Sequence, residues 1–219
     1  MLYDVALGPP PMPNKYDRTP DITRSTDGDG NFSVSLPPGK YYLSVVKRMS
    51  GDRFGVPQVG DYALLQTDPK GRLKEYVIKA GAVLNAGTIA GVVPIRPHDI
   101  AKRATKTAIA GVVFDTNGTP VENAVVIAYL DPSVKGKPLF ISERSGKEGK
   151  YILRLTAGTY YLRVRNNLTG GSPEPGQIVG YYGEGEPAPV EVKDGEIVKD
   201  IDFTVILFEG RGPRPQPGQ

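Results

Sequence analysis

Apolar and polar residues alternate along this chain in short bursts, and the bursts come in pairs. Tyr151, Leu153 and Leu155 precede Thr156-Ala157-Gly158, and Tyr160, Leu162 and Val164 follow it. Arg154, Arg163 and Arg165 fall on the opposite parity. Period-two alternation with one polar face predicts antiparallel strands over 150–155 and 159–165, covered on one side. Upstream, "TAIAGVVFDTNGTPVENAVVIAYL" opens with a strand. Asn117-Gly118 is a turn signal, because both residues tolerate positive φ. Pro120 starts an extended stretch, and Ala124–Leu130 reads as the next strand. "DPSVKGKP" and Asn166–Gly180 read as loops, and "APVEVKDGEIVKDIDFTVIL" as two strands around Asp194-Gly195. No segment reads as a long amphipathic helix.

The first half of the chain repeats this order, and internal repeats govern everything else in such a reading. Gly30, Gly39, Tyr41, Leu43 and Val45 match Gly149, Gly158, Tyr160, Leu162 and Val164, all at an offset of 119 residues. Phe32, Val34 and Leu36 form one expected inward row, and Tyr41, Leu43 and Val45 the next. "VGDY" at Val59 resembles "VGYY" at Val179, and Gly81 matches Gly195. Leu2–Pro9 aligns with Val125–Pro132, which sets Met1 opposite Ala124. Nothing in the first half answers to Thr107–Asn123, so the first repeat is expected to lack its opening strand. A sheet edge left open exposes unpaired N–H and C=O groups. Three outcomes would close it: an upstream strand of a longer chain, a smaller rearranged sheet, or a strand from another subunit. The expected organisation is a β-sandwich repeat over 1–93, a linker over 94–106, a second repeat over 107–208 and a Pro/Gly-rich tail over 209–219. Pro94 and Pro97 argue against a strand in the linker.

Composition narrows the class. The 219 residues include 27 glycines and 21 prolines, which punctuate short strands without collagen periodicity. Formal net charge is +3, too balanced to argue for nucleic acid. Cysteine is absent, which excludes disulfides, thiolate metal sites and cysteine nucleophiles. No apolar run approaches the roughly 18 residues of a membrane helix. "MLYDVALGPPP" lacks the basic start and apolar region of a signal peptide, so an export signal is not expected within this chain.

The pattern Ile109-x-Gly111-x-Val113, then Asn117-Gly118, Pro120, Ala124 and Val126, resembles the carboxypeptidase regulatory-like domain. So does Gly149-x-Tyr151, followed by Leu155-x-x-Gly158-x-Tyr160-x-Leu162-x-Val164. The resemblance covers about Lys106–Phe208; the first half carries the later signature and the closing strands. That module groups with transthyretin-like and Cna-B-like seven-stranded sandwiches. The resemblance implies an all-β chain of two tandem Greek-key sandwiches, serving as non-catalytic spacer, adhesion or accessory modules of exported or cell-surface proteins. It carries over no ligand.

The candidate chemistry changes this picture little. Asp27, Asp29 and Asn31 resemble the start of a calcium loop, but Phe32 and Pro38 stand where an EF-hand needs Gly and Glu. A polar hairpin turn is the expected reading. Four Gly-Lys pairs, at Gly39, Gly136, Gly146 and Gly149, lack the earlier Gly and following Ser or Thr of a phosphate loop. His98 is the only histidine and lies in the expected linker beside Asp99, without a triad. A Cna-B-type Lys–Asn isopeptide bond finds no Asn among the inward positions Ile201, Phe203 and Val205. Arg96, Lys102, Arg103 and Lys106 cluster in the linker without interleaved aromatics for base stacking, so they read as solvated. Asn117-Gly118-Thr119 and Asn167-Leu168-Thr169 are glycosylation acceptors by pattern and ordinary turn sequences as well. Tyr42 and Tyr161 are the candidate ligand contacts, as outer-face rings for carbohydrate; Tyr41 and Tyr160 should fill core, since strand neighbours point to opposite faces. The expectation is a non-enzymatic structural module outside the cell or on its surface. Its partners would be other protein subunits, with carbohydrate as the alternative, and no nucleic acid, membrane span or cofactor.

Overall fold

A computed structural model describes residues 1–49, 55–101, 103, 106–168 and 171–210. The chain is all-β apart from short helical turns. It divides into two compact units, Met1–Thr105 and Lys106–Gln219. No helix among the described residues is long and apolar enough to cross a membrane. Lys102, Thr169 and the tail beyond Gly210 lie outside the described residues.

The second unit is built from two sheets. Strands β6 (Ala108–Phe114), β7 (Val125–Tyr129), β8 (Phe140–Arg144), β9 (Lys150–Arg154) and β10 (Gly158–Arg165) come first. They are followed by β11 (Gln177–Tyr181), β12 (Pro189–Val192), β13 (Ile197–Val198), β14 (Phe203–Thr204) and β15 (Ile206–Phe208). One sheet runs β15-β11-β10-β7-β8, with β12 also paired to β10. In the other, β6 is the centre: β9 pairs with it antiparallel, and β13 and β14 pair with it parallel. Ile109, Val113, Leu153, Leu155, Tyr160, Leu162, Val164 and Phe203 are all at most 2% exposed and fill the space between the sheets. The predicted inward rows of this unit, including Ile201, Phe203 and Val205, are buried.

Four features of this unit depart from the sequence reading. Residues 140–144 form a strand that the alternation did not reveal, because Ser142 and Ser145 occupy buried positions. Their hydroxyls are used up locally: Ser142 Oγ accepts from Val126 N at 2.9 Å, and Ser145 Oγ accepts from Ala124 N at 2.9 Å. Residues 177–181 form β11, although 166–180 reads as loop. The single closing strand is broken at Asp200, whose φ is 60°, and again at Val205, giving β13, β14 and β15. Arg165, expected on a wet face, is buried.

The first unit has the counterpart of the first of these sheets. It comprises β1 (Leu2–Asp4), β2 (Gly39–Lys47), β3 (Tyr62–Leu65), β4 (Glu75–Ile78) and β5 (Val93–Pro94). The order is β1-β2-β3-β5, with β4 also on β2. Register links the two units. Leu43 lies opposite Leu2, and Leu162 opposite Ala128. Gly39 lies opposite Ile78, and Gly158 opposite Val192. The β1 register corrects the sequence alignment: Leu2 takes the place of Ala128, so Met1 falls at Ile127 and not at Ala124. Ser44 lies opposite Leu65, as Arg163 lies opposite Tyr181, so the "VGDY" match is displaced as well. In place of β8 there is a single antiparallel bridge from Leu2 to Ile22.

Among the described residues the first unit forms no second sheet above this one. Residues 31–37, read as an inward-facing strand, are irregular, and Phe32 is 37% exposed. Residues 82–92 form no strand either. Val34, Leu36, Ala86 and Ile89 still lie against the cluster of Leu2, Tyr41, Leu43 and Tyr76, as partly buried residues. The region read as a linker is also structured. Pro94 sits in the short strand β5, where its missing N–H is tolerated at an edge. Helix α1 (Pro97–Ala101) begins on Pro97, a favoured first helical residue. Arg103, read as solvated, pairs with Asp17 with its side chain 6% exposed.

Candidate functional site

The outer-face tyrosines occupy equivalent positions, one in each unit. Tyr42 on β2 lies opposite Tyr3 on β1 and Glu75 on β4. Tyr161 on β10 lies opposite Tyr129 on β7 and Pro189 on β12. Both are partly buried, and their neighbours Tyr3 and Tyr129 are buried. Residues 8–21 fold over Tyr3, pinned by Arg18. That guanidinium donates to Gly8 O, Pro9 O and Asp4 O, pairs with Asp21 at 2.7 Å, and lies 5.7 Å from the Tyr3 ring centre. Burial, and then the Glu75 carboxylate, raise the Tyr42 phenol above its ordinary value. Each candidate tyrosine is thus half-buried and lies opposite a buried tyrosine in the strand ladder. Tyr181 is more exposed, and its hydroxyl donates to Gly185 O at 2.7 Å; Tyr182 packs edge-on against Phe203.

The polar loops have an ordinary explanation. Asp27 Oδ1 accepts from Asp29 N and Asn31 N, while Gly30, at φ 85°, donates its N–H to Asp27 O. Asp115 does the same with Asn117 N, Thr119 N and Gly118, and Asp68 with Lys70 N, Arg72 N and Gly71. An Asp-x-x-Gly-x loop therefore recurs three times, with the carboxylate committed to backbone donors. Gly146–Lys150 closes without an Asp: Gly149 donates its N–H to Gly146 O, and Gly146 donates to Lys150 O. Among the described residues no cluster of three or more His, Cys, Asp or Glu side chains could hold a metal. His98 is half-exposed on α1, 3.0 Å from Asp99.

The remaining candidate is the second layer of the first unit, which lies on the apolar cluster without forming strands. In the second unit β9, β13 and β14 all take β6 as a ladder partner. The corresponding segments of the first unit are 31–35, at the offset of 119, and Val83-Leu84 and Ile89-Ala90, at the offset of 114 that relates β4 to β12. None of them is a strand. Within the described chain, the backbone groups of residues 32–36 and 88–91 make no hydrogen bond to other backbone. Val83 is 99% exposed and Leu84 47%. The Gly30 turn forms as in its counterpart, so the failure lies in pairing, not in the local turn. Unpaired backbone beside an apolar face is the arrangement to which an added strand binds. Sequence reasoning found the missing strand, but not that three further segments would lose their ladders with it.

No family model and no curated protein matches the chain. Among solved structures it is similar to a streptococcal ancillary pilin, at 12% identity and a TM-score of 0.26, over 77% of this chain and 46% of that one. The chain thus spans less than half the length of that protein, and a likeness of this size carries no argument about function.

Proposed function

We propose that this chain is a non-catalytic structural subunit of an extracellular or cell-surface assembly, such as a filament, joined to its neighbours by strand exchange. The observation that supports this reading is the first unit's second layer: within the described chain residues 32–36 and 88–91 make no hydrogen bond to other backbone, and Val34, Leu36, Ala86 and Ile89 in these segments and beside them are only partly buried. An added strand would pair those backbone groups and complete the burial of these side chains. A carbohydrate role for Tyr42 and Tyr161 has less support, since each ring is half-buried beside a tyrosine and the chain has no tryptophan. Antibody labelling of intact cells, followed by electron microscopy of the captured material, tests the proposal. Surface label on multimeric particles is the expected result. Protein confined to the cell interior, or captured as single chains alone, overturns it.

A further inference from the structure

Arg165 is 7% exposed, yet nothing in the described chain neutralises it. It ends β10 and shares the outer face of that strand with Tyr161 and Arg163. Its ladder neighbours are Val125 on β7 and Val179 on β11. Among the described residues no hydrogen bond or ion pair reaches its guanidinium. The charge that acts on it has its own sign: burial, and then the Arg163 guanidinium, hold its pKa below the ordinary value.

Arg163 stands half-buried beside it and donates one N–H to Val134 O at 3.3 Å. Among the described residues no carboxylate pairs with it. Outward residues two apart on a strand are about 7 Å apart, so two cations crowd one patch of the face. The Tyr129 phenol, 6% exposed, lies close enough to feel both charges. Val134 is itself buried at φ 45°, a conformation that β-branched residues rarely take, so its loop is held against Arg163 at some strain.

An arginine stem can cover apolar surface while its head reaches water. That account serves Arg163, but it fits Arg165 poorly, because the residue is almost closed off. A buried cation without a counter-charge is costly, and buried charges are normally paired. We infer that Arg163, Arg165 and the Tyr129 hydroxyl form a binding site for a tetrahedral oxyanion of the phosphate class. Guanidinium forks match the oxygens of phosphate as they match those of a carboxylate. Two adjacent cations favour a dianion over a single carboxylate, and the tyrosine hydroxyl offers a neutral donor to a further oxygen. With Arg165 and Tyr129 at most 7% exposed, the site admits a small ion or one phosphate group, not a broad surface. The site belongs to the second unit and is independent of any strand pairing in the first.

Phosphate titrated into the full 219-residue chain, with chloride keeping the ionic strength constant, tests the site. Amide resonances of 125–129, 163–165 and 177–181 should shift and saturate. At phosphate 100 times its Kd, the unfolded fraction of the second unit should fall about 100-fold. Arg165→Met should abolish both responses. In phosphate-free buffer it should also raise the second unit's Tm, because it removes an unpaired buried charge. Tyr129→Phe keeps the packing and should weaken binding by about tenfold. Arg24→Gln, which removes an exposed charge from the first unit, should change nothing. Absent saturation, an equal response to acetate, full binding by Arg165→Met or by Tyr129→Phe, or an Arg165→Met Tm that does not rise overturns the site. Glycerol 3-phosphate distinguishes the sources. Binding as tight as that of inorganic phosphate makes the ligand a phosphate group on a larger molecule, and exclusion makes it the free ion; both uphold the oxyanion class.

Discussion

Gly111 sits where the second unit leaves no room for a side chain. Its missing side chain lets the Ile201 carbonyl approach, and that carbonyl also accepts the Tyr151 hydroxyl at 2.6 Å. Gly111→Ala should destabilise the second unit by about 1–3 kcal/mol, as overpacking does. Gly146→Ala, with open space around its Cβ position, should stay within about 0.5 kcal/mol. Denaturant melts of the two variants check this. The Asp-x-x-Gly-x loops make a prediction with a definite sign. Backbone donation, from Asn31 and from Thr119 respectively, holds the Asp27 and Asp115 carboxyls below their ordinary value. A group lowered on folding adds stability that is complete above the unfolded value of about 4 and lost as pH falls through the lowered value. The Thr119 amide resonance should therefore move only at acid pH, and Asp115→Asn should flatten that titration. An unchanged profile in the variant would break the assignment.

Equivalent strands of the two units should respond differently to truncation. Leu153→Ala in β9 removes a fully buried side chain and should cost about 2–5 kcal/mol. Val34→Ala, at the matching place in the first unit, should cost under about 1 kcal/mol, because Val34 is only partly buried and lies in no strand. Equal losses would mean that 31–37 is paired after all. This contrast shows how far the pattern could be read. Alternation located β2, β6, β7, β9 and β10, because each has a buried row of its own. It also placed Phe32 inward, since alternation reports which residues could be buried, not whether a partner strand exists to bury them. β8 was hidden by two serines whose hydroxyls replace backbone partners, a substitution visible only in three dimensions. β5 and α1 were hidden by prolines tolerated at a sheet edge and a first helical turn. The tyrosine positions on β2 and β10 were legible from parity; their half-burial was not, since it comes from neighbouring strands and, at Tyr3, from a loop distant in sequence.

At the scale of the whole molecule the two units should open separately. Amides of 32–36 and 88–91 should exchange fast, while those of β6 and β9 stay protected, because only the latter lie in ladders over a closed core. Hydrogen exchange resolved along the chain gives the answer, and comparable protection in both regions would contradict it. The first unit also depends on the Arg18–Asp21 pair, whose side chains are 0% and 5% exposed. Asp21→Ala leaves a buried guanidinium without its counter-charge and should cost about 3–5 kcal/mol in that unit. The second unit's melt should not move.

The parallel pairing of β6 has a consequence during synthesis. Ala108 must wait for Ile197, and Val113 for Phe203, before its second edge is covered. At ribosomal speeds of about 5–20 residues per second, that interval is on the order of 5–20 s. Throughout it, one edge of an apolar strand stays unpaired on the nascent chain. An open apolar edge invites wrong pairing, so slowing elongation between 115 and 197 should raise the misassembled fraction.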